Sequence, residues 1–247
     1  IDNNESALFF IDQQYLNDTR ANFFVADIKD KDELINKTKG IDIIFHAAAL
    51  KHVVLCEKSP EQAVQANING IQNIIAAANA NNVETVIFTS SDKAVNPTNV
   101  MGTSKLMGER LMTAANSNKR DGGPVFASTR FGNVLGSSGS VIPIFHNQIA
   151  KGGPVTLTDK NMTRFVMSVQ ESVQLVLDSA KYAKGGEVGK TYEIKGVDVT
   201  YYEDSYEEGE LDQFHSYYLG QSDFPYKTEF SSKKDLFDTL NEFISYG

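Results

Sequence analysis

An acidic and a basic side chain stand next to each other where an apolar stretch of the chain gives way to a polar one. Asp92 and Lys93 follow the apolar residues 83–89 almost directly. An acid and an amine held together can serve a bound substrate as general acid and general base. A lysine base needs a lowered pKa, which partial burial beside a second cation such as Lys105 would supply. The alternative is a surface ion pair in a loop, and spacing alone leaves both interpretations open.

The elements that position these residues alternate between strand and helix through the first two thirds of the chain. This alternation is typical of an α/β fold with a parallel sheet. Near-continuous apolar runs predict strands covered on both faces, and apolar residues at helical spacing predict helices. The predicted strands cover residues 22–26, 41–47, 83–89 and 125–130, and the predicted helices cover residues 31–39, 63–80, 99–116 and 169–182. Parallel sheets of this kind bind ligands at the carboxyl ends of their strands, where Asp92 and Lys93 lie.

The composition argues against several classes of protein. A formal net charge of -9 and an isoelectric point near 5.0 disfavour nucleic acid or an anionic membrane as the main partner. The single cysteine, Cys56, excludes an internal disulfide and a zinc-type cysteine spacing, and we expect no metal site. No apolar run approaches the roughly 18 residues that span a bilayer. We therefore expect a soluble, cytoplasmic chain without a membrane segment.

The chain contains no glycine before Gly40. A nucleotide-binding α/β domain normally opens with a strand and a glycine-rich turn that approaches a pyrophosphate. Either a nucleotide-binding interpretation is wrong, or the first strand and its turn are absent from this sequence. We expect that the sequence omits this unit, and that it also omits a loop beyond residue 188.

Several separate motifs match one known family in the same order along the chain. They occupy residues 46–53 (HAAALKHV), 91–94 (SDKA), 130–134 (RFGNV), 136–143 (GSSGSVIP) and 162–165 (MTRF). These motifs resemble the bacterial polysaccharide-biosynthesis dehydratases of the extended short-chain dehydrogenase/reductase superfamily, which act on UDP-N-acetylglucosamine. The resemblance runs almost continuously from Ile1 to about Val188. It implies a Rossmann-like, doubly wound parallel sheet, a small C-terminal substrate-binding lobe, an NAD cofactor, a UDP-sugar substrate and a homo-oligomer.

The resemblance assigns Lys105 to the ribose of the nicotinamide. Helical spacing places Lys105 one turn after residue 101, where most of the superfamily carries the tyrosine that moves a hydroxyl proton during hydride transfer. Here that residue is Met101, which cannot transfer a proton. Residues 100–102 (VMG) resemble a subgroup with methionine at this position, so the substitution does not imply a loss of activity.

The resemblance assigns the remaining catalytic roles to the polar residues that follow the strand predicted at 83–89. Either Asp92 or a relay through Ser91 would take the proton of the sugar 4-hydroxyl. Lys93 would then remove the C5 proton of a 4-keto intermediate, while Asp92 assists loss of the 6-hydroxyl as water. The product would be a 4-keto-6-deoxy sugar.

A further set of residues would contact the cofactor. A carboxylate at Asp2 would accept the adenosine ribose hydroxyls and repel a 2′-phosphate, which favours NAD over NADP. Small side chains at residues 47–49 would leave room for the pyrophosphate and ribose, with tight helix–strand packing as the alternative. The full predicted set is Asp2, Asp27, Ile28, Ala47, Ala48, Ala49, Lys51, Asn67, Ser90 and Lys105.

The substrate would be bound by residues in the second half of the chain. The predicted set is Asn133, Gly136, Ser137, Ser140, Val141 and Arg164. Arg164 would neutralise the diphosphate or contact the base. The alternatives are that Asn133 is a turn residue and Arg164 a surface cation. We predict an NAD-binding domain over 1–135, followed by a region, 136–247, that is mainly a substrate-binding lobe with elements returning to the core.

Three functions compete. A dehydratase explains all the motifs together. A nucleotide-sugar epimerase, which stops at the 4-keto stage, is expected to keep tyrosine at position 101. A non-catalytic dinucleotide-binding module would explain the missing glycines and tyrosine, but Asp92, Lys93 and Lys105 are all retained. We therefore favour the dehydratase, with the exact sugar and the configuration at C5 left open.

Overall fold

Three parallel strands form the central sheet of the chain. The computed structural model describes residues 1–137, 139–157, 159, 163–186, 192–194 and 197–199. In that part of the chain the strands are β1 (Ile43–His46), β2 (Thr85–Ser91) and β3 (Val125–Phe131), hydrogen-bonded in the order β1-β2-β3. Two short strands, β4 (Asn133–Val134) and β5 (Val166–Met167), pair separately, and β6 (Tyr192–Ile194) pairs antiparallel with β7 (Val197–Val199).

Helices occupy the connections between the parallel strands, as such connections require. Those in the connections are α3 (Val53–Lys58), α4 (Pro60–Ala63), α5 (Gly70–Asn81) and α6 (Val100–Ser117). Before β1 lie α1 (Glu5–Gln14) and α2 (Lys31–Lys37), and after β3 lie α7 (Val141–Ala150) and α8 (Val169–Tyr182). A π-helical segment, Val64–Asn69, joins α4 to α5, and a 3-10 turn, Asp92–Ala94, follows β2. The predicted α/β fold with a parallel sheet is confirmed, and the four predicted helices are present.

Local side-chain contacts set where these helices begin and end. The Asn99 side chain accepts a hydrogen bond from the Gly102 amide at 2.8 Å and caps α6. Ser168 and Glu171 form a reciprocal capping box at the start of α8. Asn82, with φ of 52°, ends α5 in the left-handed conformation that asparagine tolerates.

The core lies where α5 and α6 pack on the sheet. Ile71, Phe88, Met112 and Phe126 are buried there, together with Leu34, Ile74 and Val86. A Cβ atom added at Gly108 would lie 2.5 Å from Ile71 Cδ1 and 2.9 Å from the Phe88 ring. Glycine at this position therefore lets α6 approach the sheet closely enough to bring its polar side chains over β2.

Two details of the predicted sheet are wrong. Residues 22–26 form only an isolated parallel bridge between Asp2 and Val25, and Phe24 and Val25 are 43% and 55% exposed. The β1 strand is not covered on both faces, because Ile43 and Phe45 are each 43% exposed. Among the described strands of this sheet, β1 is at an edge, so its apolar run is longer than the burial it receives.

The described residues fall into two units. The first contains Ile1–Gly132 and the described residues from Met167 to residue 199, and the second contains the described residues of Asn133–Val166. Helix α8 belongs to the first unit, where the Thr129 hydroxyl donates to Ser179 Oγ at 2.7 Å. Assignment of the two regions to cofactor and substrate stays a prediction, and much of the predicted lobe lies outside the described residues. None of the described helices has the length and apolar character that crossing a membrane requires.

Candidate active site

A compact polar cluster follows the carboxyl end of β2. The Ser91 hydroxyl donates to Asp92 Oδ1 at 2.8 Å, and Lys93 Nζ donates to the same oxygen at 3.1 Å. The Lys93 amide donates to Ser91 Oγ at 3.3 Å, which closes the 3-10 turn. The side chains of Asp92 and Lys93 are 22% and 31% exposed. The ion pair is therefore present, and it is partly shielded while remaining open to a small molecule.

Lys105, on α6, is almost completely buried close to this cluster. Its Nζ donates to the Thr89 carbonyl at 2.8 Å and lies 4.7 Å from the centre of the Phe88 ring. Burial lowers the pKa of Lys105 to about 8, and the carboxylate of Glu109 acts in the opposite direction. Lys105 is thus both hydrogen-bonded to the strand backbone and buried enough to lower its pKa.

A second ion pair lies one helical turn further along α6. Arg130 Nε and Nη2 donate to the two carboxylate oxygens of Glu109, each at 2.8 Å. The Glu109 side chain is 2% exposed and that of Arg130 is 28% exposed. Two parallel bonds of this kind fix the orientation of both groups. The motif that contains Arg130 contributed to the family resemblance, but the partner of Arg130 was not predicted.

Met101 lies on the same helix as Lys105 and packs in an apolar cluster. The Met101 side chain is 3% exposed and contacts Cys56 and Ala63, with Val53 and Val100 at the edge of the cluster. Met101 and Lys105 lie one turn apart on the same helix, as predicted, and the structure shows that both are buried. The contacts of Met101 are those of a core residue, and a part in the reaction stays a prediction.

Asn67 holds the segment that follows β1. Its side-chain oxygen accepts from the Leu50 amide at 2.8 Å, and its side-chain nitrogen donates to the Leu50 carbonyl and to Ser104 Oγ, each at 2.9 Å. Because Asn67 is 1% exposed, these bonds are shielded from water. We predicted a cofactor contact for Asn67; the bonds described here instead position residues 47–52, which the same prediction places beside the cofactor.

Small side chains line the open end of β1. Ala47 and Ala48 are exposed and Ala49 is half-buried, so helix–strand packing does not explain Ala47 and Ala48. Lys51 is exposed on the same segment. The hydroxyl of Ser90, at the end of the neighbouring strand β2, is buried without a hydrogen-bond partner among the described residues.

His46 is the last residue of β1, and its side chain is buried and neutral. Its ring stacks on the Phe88 ring with centroids 5.5 Å apart, and it is 3% exposed. Burial, and secondarily the nearby Lys105 charge, lower the pKa of His46 to about 3. In the described structure its Nε2 has no hydrogen-bond partner. These are the contacts of a structural side chain.

The residues predicted to surround the adenosine lie near the start of the chain. Asp2 forms a parallel bridge with Val25. The side-chain amide of Asn3 donates to Asp27 Oδ2 at 3.4 Å. Asp2 and Asp27 are therefore neighbours. Ile28 packs against the start of α5, where a Cβ atom added at Gly70 would lie 2.9 Å from Ile28 Cγ1. Contacts of these residues with a nucleotide stay a prediction.

The predicted substrate residues form a group within the second unit. The Asn133 amide donates to the Phe165 carbonyl at 2.7 Å, so Asn133 lies beside the segment that carries Arg164. Arg164 is exposed and donates to the Thr163 carbonyl at 2.7 Å. The remaining residues lead into α7: Gly136 has φ of +70°, the Ser137 carbonyl accepts from the Ser140 amide, and Val141 begins the helix. Asn133 is thus a strand residue, and its role with a substrate is untested.

Gly102 is a residue that sequence reasoning did not single out. A Cβ atom added at Gly102 would lie 2.2 Å from the Lys93 carbonyl oxygen and 3.1 Å from Pro97 Cβ. The first turn of α6 therefore rests directly on the turn that carries Lys93. The sequence feature that could have identified Gly102 is its position next to Met101. For Glu109 that feature is its spacing of four residues from Lys105.

No three His, Cys, Asp or Glu side chains among the described residues gather as a possible metal site.

The chain matches a known family over most of its length. Residues 1–198 match the model of the family described as polysaccharide biosynthesis protein. An uncharacterized membrane protein of Methanocaldococcus jannaschii is 50% identical over 188 residues, which are 76% of this chain and 56% of that protein. A UDP-glucose 4-epimerase of Rickettsia bellii is 45% identical over 174 residues, which are 70% of this chain and 51% of the epimerase. The chain therefore spans about half the length of these curated relatives.

Solved structures share the fold. The X-ray structure of Pen from Bacillus thuringiensis is 42% identical with a TM-score of 0.74, covering 76% of this chain and 57% of Pen. A dTDP-glucose 4,6-dehydratase, DesIV from Streptomyces venezuelae, solved with NAD and DAU bound, is 21% identical with a TM-score of 0.67, covering 71% and 59%. At that identity the second likeness shows the fold alone, and that fold is Rossmann-like, as predicted.

Proposed function

This chain belongs to the polysaccharide biosynthesis protein family within the extended short-chain dehydrogenase/reductase superfamily, and from that premise we propose that it dehydrates a UDP-N-acetylhexosamine with NAD as cofactor. The proposed substrate is UDP-N-acetylglucosamine, and the product is the UDP-4-keto-6-deoxy sugar used for surface glycan biosynthesis. Two of the similar proteins, the epimerase of Rickettsia bellii and DesIV, are nucleotide-sugar enzymes by name, which supports a nucleotide sugar as the substrate class.

One observation carries the choice of dehydration: Asp92 Oδ1 accepts hydrogen bonds from both Ser91 and Lys93 at the end of β2. Dehydration needs an acid at one carbon of the sugar and a base at the next carbon. An acid and an amine separated by a single hydrogen bond meet that need, and oxidation and reduction at C4 alone do not require it. Ser91 adds a hydroxyl through which a proton can reach Asp92.

The residues around the strand ends fit a dinucleotide. The buried hydroxyl of Ser90 lacks a partner among the described residues, and the exposed Ala47 and Ala48 keep the end of β1 free of bulky side chains. The anchored ammonium of Lys105 supplies donors for ribose hydroxyls, and the carboxylate of Asp2 suits the adenosine ribose. When bound, NAD supplies a reversible hydride acceptor for the sugar. That the NAD of DesIV lies in a structure of the same fold supports this choice.

Four proton movements then fall to the cluster after β2. The Asp92 carboxylate accepts the proton of the sugar 4-hydroxyl, directly or through Ser91, as C4 is oxidised. The resulting 4-keto group acidifies the C5 proton, which Lys93 removes in its neutral amine form. Asp92 returns its proton to the departing 6-hydroxyl, and water leaves. Lys93 finally protonates C5 when hydride reaches C6, so the proton that leaves in the water is the one that Asp92 took from the 4-hydroxyl.

The test is to incubate the full-length protein with UDP-N-acetylglucosamine and to follow the products by mass and proton NMR. Loss of water together with a new 6-methyl signal is the expected result. In deuterium oxide, we expect deuterium at C5, introduced by the group that removed the C5 proton. No turnover by protein with NAD bound would overturn the proposal and favour a non-catalytic binding module or another sugar.

An epimerase is the second candidate, and the Rickettsia bellii relative favours it because that protein is named as a UDP-glucose 4-epimerase at 45% identity. Met101 argues against an epimerase, because an epimerase of this superfamily is expected to keep tyrosine at that position. The same incubation distinguishes the two, because an epimerase changes the sugar couplings and leaves the mass unchanged.

A further inference from the structure

The ion pair between Glu109 and Arg130 is a buried charge cluster that the proposed proton transfers do not use. Glu109 is 1% exposed, yet it is an ionisable side chain in the middle of a helix. Burying a charge carries a large desolvation cost unless partners compensate it. Arg130 does so by donating to both carboxylate oxygens at 2.8 Å. A buried salt bridge is by itself weak evidence for a stabilising role. The position of the Glu109–Arg130 pair says more about what the pair does.

That position is next to Lys105. Glu109 and Lys105 are four residues apart on the buried face of α6, so their side chains are neighbours. Arg130 lies on β3 opposite Ser90 of β2, one residue beyond the Thr89 carbonyl that accepts from Lys105 Nζ. The charged and titratable groups around Lys105 among the described residues are Glu109 on its own helix, Arg130 from β3, His46 from β1 and the Asp92–Lys93 pair after β2.

Two of these groups are anions: Asp92 is paired with Lys93, and Glu109 is the one whose charge raises the pKa of Lys105. His46 is neutral because burial lowers its pKa to about 3, and Arg130 is a cation directed to Glu109. The Lys105 ammonium has lost most of its water, and burial lowers its pKa to about 8, with Glu109 opposing that effect. The anion that raises the pKa of Lys105 is thus held at a fixed point by a guanidinium.

We propose that Glu109 is a positioning residue that keeps Lys105 charged and in place, with Arg130 holding the Glu109 carboxylate. Its electrostatic part concerns Lys105 alone, and only its consequence for ribose binding rests on the proposed function. A protonated Lys105 offers three donors, of which the Thr89 carbonyl takes one. Loss of the charge would leave a weaker donor for the ribose hydroxyls.

The direct test is an NMR titration of the full-length protein labelled with ¹³C at lysine Cε, with the Lys105 signal assigned from a Lys105→Arg variant. In the wild type we expect its midpoint near pH 8. In Glu109→Gln the midpoint falls by about one pH unit or more, because the anion that raises the pKa of a buried ammonium is removed. This readout does not depend on which sugar is turned over, so it stays informative if the proposed substrate is wrong.

Two further variants keep the inference testable. Glu109→Gln combined with Arg130→Gln removes both charges and leaves a side-chain pair able to hydrogen-bond, and its midpoint is also below that of the wild type. Ser179→Ala is the matched control, because it removes the buried bond to Thr129 from α8 and leaves the charges around Lys105 intact. It lowers the melting temperature without moving the midpoint.

Activity gives a second readout. The alkaline limb of turnover against pH moves to lower pH in Glu109→Gln, and KM for NAD rises near pH 8 more than at pH 6. Glu109→Asp keeps a carboxylate and lies between the wild type and Glu109→Gln. An unchanged Lys105 midpoint in Glu109→Gln, or an equal shift in Ser179→Ala, would overturn the inference. A shifted midpoint without turnover would leave it standing and count against the proposed function alone.

Discussion

Two lysines near the carboxyl end of β2 lie in contrasting surroundings. The Lys93 side chain is 31% exposed and pairs with Asp92, its neighbour in sequence. Lys105 is 6% exposed, donates to the Thr89 carbonyl and lies against the Phe88 ring. One ammonium is reached by water and one is fixed by packing.

The difference separates two chemical tasks. A group that exchanges protons needs access to substrate and solvent and some freedom to move, and a partly exposed ion pair is weak enough to allow it, at about 0.2–1 kcal/mol. A group that holds a ligand gains from being fixed before the ligand arrives, since no reorganisation is then needed. The turn at Asp92–Ala94 suits the first task, and the buried face of α6 suits the second.

The largest expected effect comes from the exposed side of this comparison. In Lys93→Met we expect turnover to fall by about 10²- to 10⁴-fold, the usual contribution of a general base. The melting temperature should change little, because the side chain is partly exposed. The measurements are product formation from UDP-N-acetylglucosamine and deuterium incorporation at C5. Lys58→Met, the same change at an exposed lysine of α3, is the control. Retained C5 exchange in Lys93→Met would assign the base elsewhere.

The buried side predicts a pH dependence through His46. Because burial lowers the pKa of His46 from 6.5 to about 3, the unfolded chain binds a proton in that window and the folded protein does not. Stability from this site is complete above about pH 6.5 and is lost as the pH falls, by roughly 2 kcal/mol between pH 7 and pH 5.

Urea unfolding at pH 7 and pH 5 checks this prediction. His46→Gln should lose less stability on acidification than the wild type, because the titrating group is gone. His52→Gln, the same change at an exposed histidine, should keep the wild-type loss. An equal acid loss in all three proteins would mean that water reaches His46.

Gly102 couples the two regions, so a methyl group there should disturb both. The Cβ of Gly102→Ala would lie 2.2 Å from the Lys93 carbonyl oxygen, which requires the turn or α6 to move. We expect a loss of stability of about 1–3 kcal/mol, as for overpacking, together with a drop in turnover at temperatures where the protein stays folded. Thr103→Ala, at the next and exposed residue, is the comparison. Full turnover in Gly102→Ala would show that Lys93 does not need its present position.

Met101 should give the smallest effect. Met101→Leu conserves volume and apolar character in the cluster with Cys56 and Ala63, so we expect a cost below about 1.5 kcal/mol and turnover within about threefold of the wild type. Thermal unfolding and steady-state kinetics measure both. A large loss of turnover at unchanged stability would give Met101 a part in the reaction beyond packing.

Local patterns predicted the regular elements well. The helix predicted over residues 169–182 is α8, Val169–Tyr182, where apolar spacing and a Ser168 capping box act within a few residues. The failures are non-local. The run at 22–26 has strand composition but only one bridge, and β1 is apolar on a face that no described neighbour covers. Sequence reports what a strand is able to bury, whereas its neighbours decide what it does bury.

The sequence by itself determined the parallel α/β plan, the junction where β2 meets Asp92 and Lys93, and the placement of Met101 and Lys105 one turn apart. These depend on adjacency and on helical or strand period. Only the tertiary structure decided that Lys105 is buried on the Thr89 carbonyl, that Glu109 meets Arg130 and that Gly102 rests on the Lys93 carbonyl. The physical reason is that burial, and the charges brought to a site by separate elements, depend on distances in space that no spacing along the chain records.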